Sequence, residues 1–190
     1  MRSTPRTTSK AQRRLMTELS KAVVARVDVP AAPEVVFRAL CDAMSERRGR
    51  PVALAVRPFP PEIADTTGLW LDLADQDVIV IEEGLDADHQ LVVLGHELWH
   101  MVAGHCGHQV GEAAVAARTV LTSEPALLEA VRRVAARSHS HAADERDAEG
   151  FGLLLGTRMR NWLDEGTGAT PLDDIAQRID TSLGYPGPKG

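Results

Sequence analysis

Apolar residues return every three or four positions from about Ala11 to Arg26, where Leu15, Leu19, Ala22 and Val23 form a stripe. They do so again from Pro33 to Arg47, through Val36, Phe37, Leu40 and Met44. Both stretches predict amphipathic helices, the second with Pro33 suited to a first turn. The pattern then changes. Arg50 to Val56 reads as a short strand that runs out in the Pro58, Pro60 and Pro61 loop, because proline has no amide to give to a sheet interior. Gly68 to Leu73 alternates with the strand period and Val78 to Ile81 is β-branched throughout, with turn chemistry from Ala74 to Asp77 between them. Together they predict a β-hairpin.

A helical period returns from Ala87 to about Gly104, at Leu91, Leu94, Leu98 and Val102. Gly104 to His108 ends it, and Val110 to Thr122 carry no clear period. Ser123 can cap a helix striped by Leu127, Leu128, Val131, Val134 and Ala135, and Ser140 another that runs through Phe151 toward Met159. Leu172 to Leu183 holds a last amphipathic pattern, while the first ten residues and the Pro/Gly-rich tail from Gly184 hold none. The expected fold is α+β and mostly helical, with a small antiparallel sheet packed beside the 87–104 helix. It divides the chain into a basic tail and helix (1–28), a main domain (29–160), and a C-terminal helix and tail (161–190).

Composition narrows the class. A chain of 190 residues, 44% hydrophobic and 25% charged, can bury one ordinary globular core. The longest apolar runs, Val78 to Ile81 and Leu91 to Leu94, fall far short of the roughly 20 residues a spanning helix needs. No apolar signal core follows the basic amino terminus, so a cytoplasmic location is expected. Two cysteines, Cys41 and Cys106, make no disulfide framework. The net charge of -6 is uneven: residues 1–57 hold 12 Lys and Arg against 5 Asp and Glu, the remainder 9 against 22. No helix-turn-helix or aromatic signature accompanies the basic third, so direct nucleic-acid binding is not expected and a solvated helix surface explains the charge.

The chemistry lies in His96-Glu97-Leu98-Trp99-His100. Histidines four apart on a helix share one face, where two imidazoles can bind one zinc ion at roughly 2.0–2.1 Å each. Glu97, beside the first ligand, can reach a water on the metal without joining the ligand set, which is the place of a general base for amide hydrolysis. Trp99 reads as a packing residue.

A catalytic zinc needs a third protein ligand and an open position. His105 and Cys106 follow the motif, but Gly104-His105 reads better as a helix end, and the spacing that would recruit a third histidine is absent. Glu145, Ala148 and Gly152 share one face of a later helix, so a carboxylate stands beside small residues that let two helices approach. A solvated acidic face is the competing reading, since Asp144, Asp147 and Glu149 surround Glu145. His139, His141 and Tyr185 are the donors, besides arginines, available to stabilise an oxyanion, although the Ser-His-Ser-His stretch reads first as a solvated linker.

The hairpin, His96-Glu-Leu-Trp-His100 running on to Gly104-His105, and Glu145-Arg-Asp-Ala148 followed by Phe151 resemble the ImmA/IrrE family of metallopeptidases over roughly Val29 to Met159. The early Arg47-Arg-Gly-Arg50 and the Gly68-Leu-Trp70 opening of the hairpin look like its actinobacterial toxin or regulator branch. The resemblance implies a gluzincin-like domain, Zn2+ held by His96, His100 and Glu145, and Glu97 as catalytic base. It also implies a protein partner, typically a helix-turn-helix repressor or antitoxin that is cleaved, or is sequestered or displaced without being cut. Three departures stand out: the interval from His100 to Glu145 is long, Glu149 and Gly152 occupy positions where the family has Asn or Asp and Ala, and the family's Leu-Leu-Met-Pro ending is missing.

Overall fold

Ser9 starts the first helix, α1 (Lys10–Val24), through a capping box: its hydroxyl accepts from the Gln12 amide at 3.1 Å and its own amide donates to Gln12 Oε1 at 2.8 Å. Gln12 then donates through Nε2 to the Asp147 carbonyl at 2.9 Å, which ties this helix to a much later one. The computed structural model describes residues 9–59, 61, 66–73, 75–104, 108–109 and 142–164. The helices expected around Leu127 to Ala135 and Leu172 to Leu183 lie outside these residues, as do both chain ends.

The second helix, α2 (Pro33–Arg48), begins on Pro33 and stops at Gly49, whose φ of 69° is the left-handed cap that an L side chain rarely adopts. Its apolar stripe of Val36, Phe37, Leu40 and Met44 is almost wholly buried. Strand β1 (Val52–Arg57) follows, then the expected hairpin, β2 (Gly68–Asp72) and β3 (Asp77–Glu82). α3 (Ala87–Ala103) carries the histidine motif, β4 is the pair His108–Gln109, and α4 (Ala142–Met159) ends in a 3-10 turn at Arg160–Trp162.

The fold is α+β, but its sheet is mixed rather than antiparallel. Strand order is β1-β3-β2-β4, with β2 antiparallel to β3, β1 parallel to β3, and β4 parallel to β2. The correction follows from the connection after β1. The chain passes the position next to β1 before entering β2, so β3, returning from the hairpin, slots between them and runs alongside β1. A central strand is covered on both faces, and this is why Val78 to Ile81 is an unbroken β-branched run, buried from Asp77 to Ile81.

One hydrophobic cluster joins the four helices to the sheet: Leu15, Leu19 and Val23 of α1, the α2 stripe, Ile79 and Ile81 of β3, Leu91, Leu94 and Leu98 of α3, and Phe151, Leu155 and Met159 of α4. Full burial of each such side chain is worth about 1.5–3 kcal/mol. Among the described residues no helix is long and apolar enough to cross a membrane.

Cys41 belongs to this core. It is 3% exposed, and burial, with the Asp42 charge adding, pushes its thiol up to about 12. A thiol that cannot ionise is inert. In a Cys106→Ser background, alkylation at pH 8 is expected to run at least roughly a hundredfold slower in the folded chain than in urea. Equal rates in the two states would contradict this burial.

Candidate metal centre

The site is built where α3 and α4 cross with almost no side chain between them. A Cβ placed on Gly95 of α3 would lie 3.0 Å from the Cα of Gly152 in α4. One placed on Gly152 would lie 2.5 Å from the Val92 carbonyl oxygen and 3.3 Å from the His96 amide nitrogen. Ala148 continues this small-residue face and is fully buried, and Phe151 stacks on Trp99 with ring centroids 5.4 Å apart. Trp99 is thus a packing residue, 7% exposed, as expected for this position inside the motif.

Close approach decides where Glu145 goes. It lies two turns before Gly152 on the face that meets α3, and its carboxylate is brought onto the two histidines. His96 Nε2 and His100 Nε2 are 3.0 Å apart, Glu145 Oε2 is 3.3 Å from the first and Oε1 is 3.3 Å from the second. Tetrahedral bonds of roughly 2.0–2.1 Å put neighbouring ligand atoms about 3.3 Å apart, so the three groups fit around one ion. Among the described residues, His96, His100 and Glu145 are the group that could hold a metal ion. The Glu145 side chain keeps 38% of its surface exposed against 23% and 13% for the histidines, so its side of the site faces solvent.

Electrostatics match this use. Burial lowers the pKa of His96, opposed by the charges of Glu145 and Glu149, and the neutral imidazole a metal requires is favoured. Glu149, one turn beyond Glu145, therefore acts on the site through its charge.

Glu97 lies against β2, with Oε1 beside Gly68. It is 7% exposed, and its carboxylate accepts the backbone amide of Trp70. A Cβ on Gly68 would stand 3.0 Å from Glu97 Oε1 and 2.3 Å from Val93 Cγ1, so the strand reaches the helix here only because residue 68 is glycine. Burial, and then the nearby Glu145 charge, push the Glu97 carboxyl up to about 8. This carboxyl holds its proton near neutrality unless a cation offsets Glu145.

His96, Glu97, His100 and Glu145 are thus brought together, whereas His105, Cys106, His139, His141 and Tyr185 lie outside the described residues. The sequence reading missed Asp77. Assigned to a turn, it opens β3 and is fully buried, accepting from Trp70 Nε1 at 2.9 Å and from Arg48 Nε at 2.6 Å. Arg50 Nε stands 3.4 Å from the same carboxylate and its guanidinium also donates to the Leu73 carbonyl. The signal was the pairing of Arg48 and Arg50 with an acid at the head of an apolar strand.

No protein-family profile, curated protein or solved structure matches the chain.

Proposed function

We propose that the chain is a zinc-dependent metallo-endopeptidase of gluzincin-like fold that hydrolyses a peptide bond in a specific protein. The observation that carries this reading is the convergence of His96, His100 and the Glu145 carboxylate to 3.0–3.3 Å, with Glu97 next to the first histidine. Two imidazoles and one carboxylate form the ligand set of hydrolytic rather than closed structural zinc sites. Zinc, when bound, supplies Lewis-acid polarisation of a carbonyl and lowers the pKa of water to about 7. With a metal held by His96, His100 and Glu145, Glu97 would take a proton from water on a carboxylate oxygen and pass it to the leaving amine. A cation beside Glu145 cancels one of the two causes that keep Glu97 protonated, which suits it to the role of base. The ImmA/IrrE resemblance supports a helix-turn-helix repressor or antitoxin as the protein acted on.

A second reading, a zinc-stabilised module that sequesters or displaces a regulator without cutting it, is favoured by one observation. Glu97 is 7% exposed and its carboxylate is engaged by the Trp70 amide. The two readings part in Glu97→Gln. With a proteome-derived peptide library as substrate, that variant is expected to keep one zinc per chain and to lose cleavage by roughly 10²–10⁴-fold. Unchanged cleavage removes the mechanism. Full regulatory effect in cells expressing the variant selects the binding module.

A further inference from the structure

Around the Glu97 carboxylate the structure closes a ring of contacts that the metal ligands do not need. α2 delivers Arg48, whose Nη1 donates to the Met101 carbonyl at 3.2 Å, in the last turn of α3 and one turn beyond Glu97. The same guanidinium holds both oxygens of Asp77, through Nε at 2.6 Å and Nη2 at 3.4 Å, and lies 5.4 Å from the centre of the Trp70 ring. Asp77 Oδ1 in turn accepts the Trp70 indole N–H at 2.9 Å. The ring closes at the Trp70 backbone amide, which donates to Glu97.

The register explains why that amide is available. Glu82 donates to the Thr67 carbonyl and Leu73 to that of Gln76, so the odd-numbered residues of β2 bond across to β3. Bonding alternates along an antiparallel pair, so the amides of Gly68 and Trp70 point to the opposite edge. Asp77 is fully buried and meets only donors: an indole and two guanidinium groups. A buried carboxylate so surrounded has one orientation, and it fixes the indole and, through it, the height of β2 against α3.

We propose that Asp77 is a positioning residue for Glu97: by clamping the Trp70 indole against Arg48, it sets the Trp70 amide where it orients the Glu97 carboxylate toward the metal centre. This rests on the reading of Glu97 as the base for its catalytic consequence, but not for its geometric one. Neither Asp77 nor Arg48 touches a reacting atom.

Two variants test it in the full chain loaded with zinc, Asp77→Asn and the milder Trp70→Phe, which keeps an aromatic ring beside Arg48 and the backbone amide while removing the indole N–H and part of the ring volume. The local readout is amide hydrogen exchange by NMR. The residue-70 amide is expected to exchange at least tenfold faster in both variants, with the Leu69 and Leu71 amides, bonded to β3, unchanged. On the best-cut peptide of the library, kcat is expected to fall at least tenfold at constant KM and constant zinc content. A protected residue-70 amide in a folded Trp70→Phe variant overturns the proposal. So does an unprotected amide with unchanged kcat. If the wild-type chain cuts no peptide, the peptidase reading fails while the exchange result still decides whether Asp77 holds Glu97. If Asp77→Asn does not fold, Trp70→Phe alone carries the decision.

Discussion

Gly152→Ala is expected to destabilise the chain and to weaken zinc binding by at least tenfold, although alanine is the better helix former. Propensity alone favours alanine in a helix interior by about 1 kcal/mol. Against this, the added methyl would stand 2.5 Å from the Val92 carbonyl oxygen and 3.3 Å from the His96 amide nitrogen. Both are backbone atoms of α3, so no rotamer change relieves the clash and the two helices must separate. Overpacking of a well-filled contact costs about 1–3 kcal/mol, which exceeds the propensity gain. The consequence for the metal is larger than for the fold. Glu145 rides on α4 and both histidines on α3, and ligand distances tolerate errors of only about 0.2 Å.

The other two glycines of α4 calibrate the argument. At Gly156 the clash is with Val92 Cγ2 at 2.6 Å, the end of a side chain that can turn aside, so Gly156→Ala should cost less. At Gly150 the nearest atom is Gln12 Nε2 at 3.9 Å, and Gly150→Ala should stabilise the chain by about 0.5–1 kcal/mol. Urea denaturation and competitive zinc titration of the three variants check the order. A Gly152→Ala variant with wild-type zinc affinity would show that the helix contact does not set the site.

What the sequence exposed and what it hid divide along the range of the interactions. The α3 stripe, the hairpin and the His96/His100 pair are local patterns, and each falls where its period puts it. Glu145 was a candidate at longer range because Ala148 and Gly152 marked its face as one that can approach another helix. A solvated acidic face competed with that reading, and only the family resemblance set Glu145 beside the two histidines. Gly152, a departure from the alanine of the resembling family, becomes intelligible only when Val92 is found 2.5 Å from its missing methyl. The mixed sheet was hidden because a hairpin says nothing of which strand lies beside it, and the β-branched run of β3 marks a strand covered on both faces without giving the direction of its neighbour. Asp77 was hidden for a chemical reason. Aspartate is depleted in strands, so a turn was the better local reading. Only Arg48 and Arg50, 29 and 27 positions earlier, make a buried carboxylate there tolerable.

Zinc should stabilise the chain by an amount that grows as pH rises from about 5 to 8, and the growth should come from two neighbouring residues titrating in opposite senses. Burial holds the His96 pKa below its ordinary 6.5. The unfolded chain then takes up a proton at a pH where the folded chain does not, so this contribution to stability is present above 6.5 and is lost as pH falls through the depressed value. Zinc competes with that same proton, and its release should therefore lie on the acidic side of the ordinary histidine range. Glu97 runs the other way. In chelator-treated protein its carboxyl is raised from 4.5 to about 8, so its contribution is present below 4.5 and lost as pH rises toward 8. A cation next to Glu145 removes part of that loss. Above pH 6.5, where the His96 contribution is complete, chelator-treated protein should thus weaken with rising pH while loaded protein does not. At free zinc a thousandfold above Kd the gap reaches about 4 kcal/mol, or roughly 8–16 °C in Tm for a chain of this size. Thermal melts with and without EDTA across pH 5 to 8.5 measure it. Glu149→Gln adds a signed control: removing a charge that raises His96 should move the titration of His96 in chelator-treated protein to still lower pH. An unchanged His96 titration by NMR in that variant would show that the Glu149 charge does not reach the histidine.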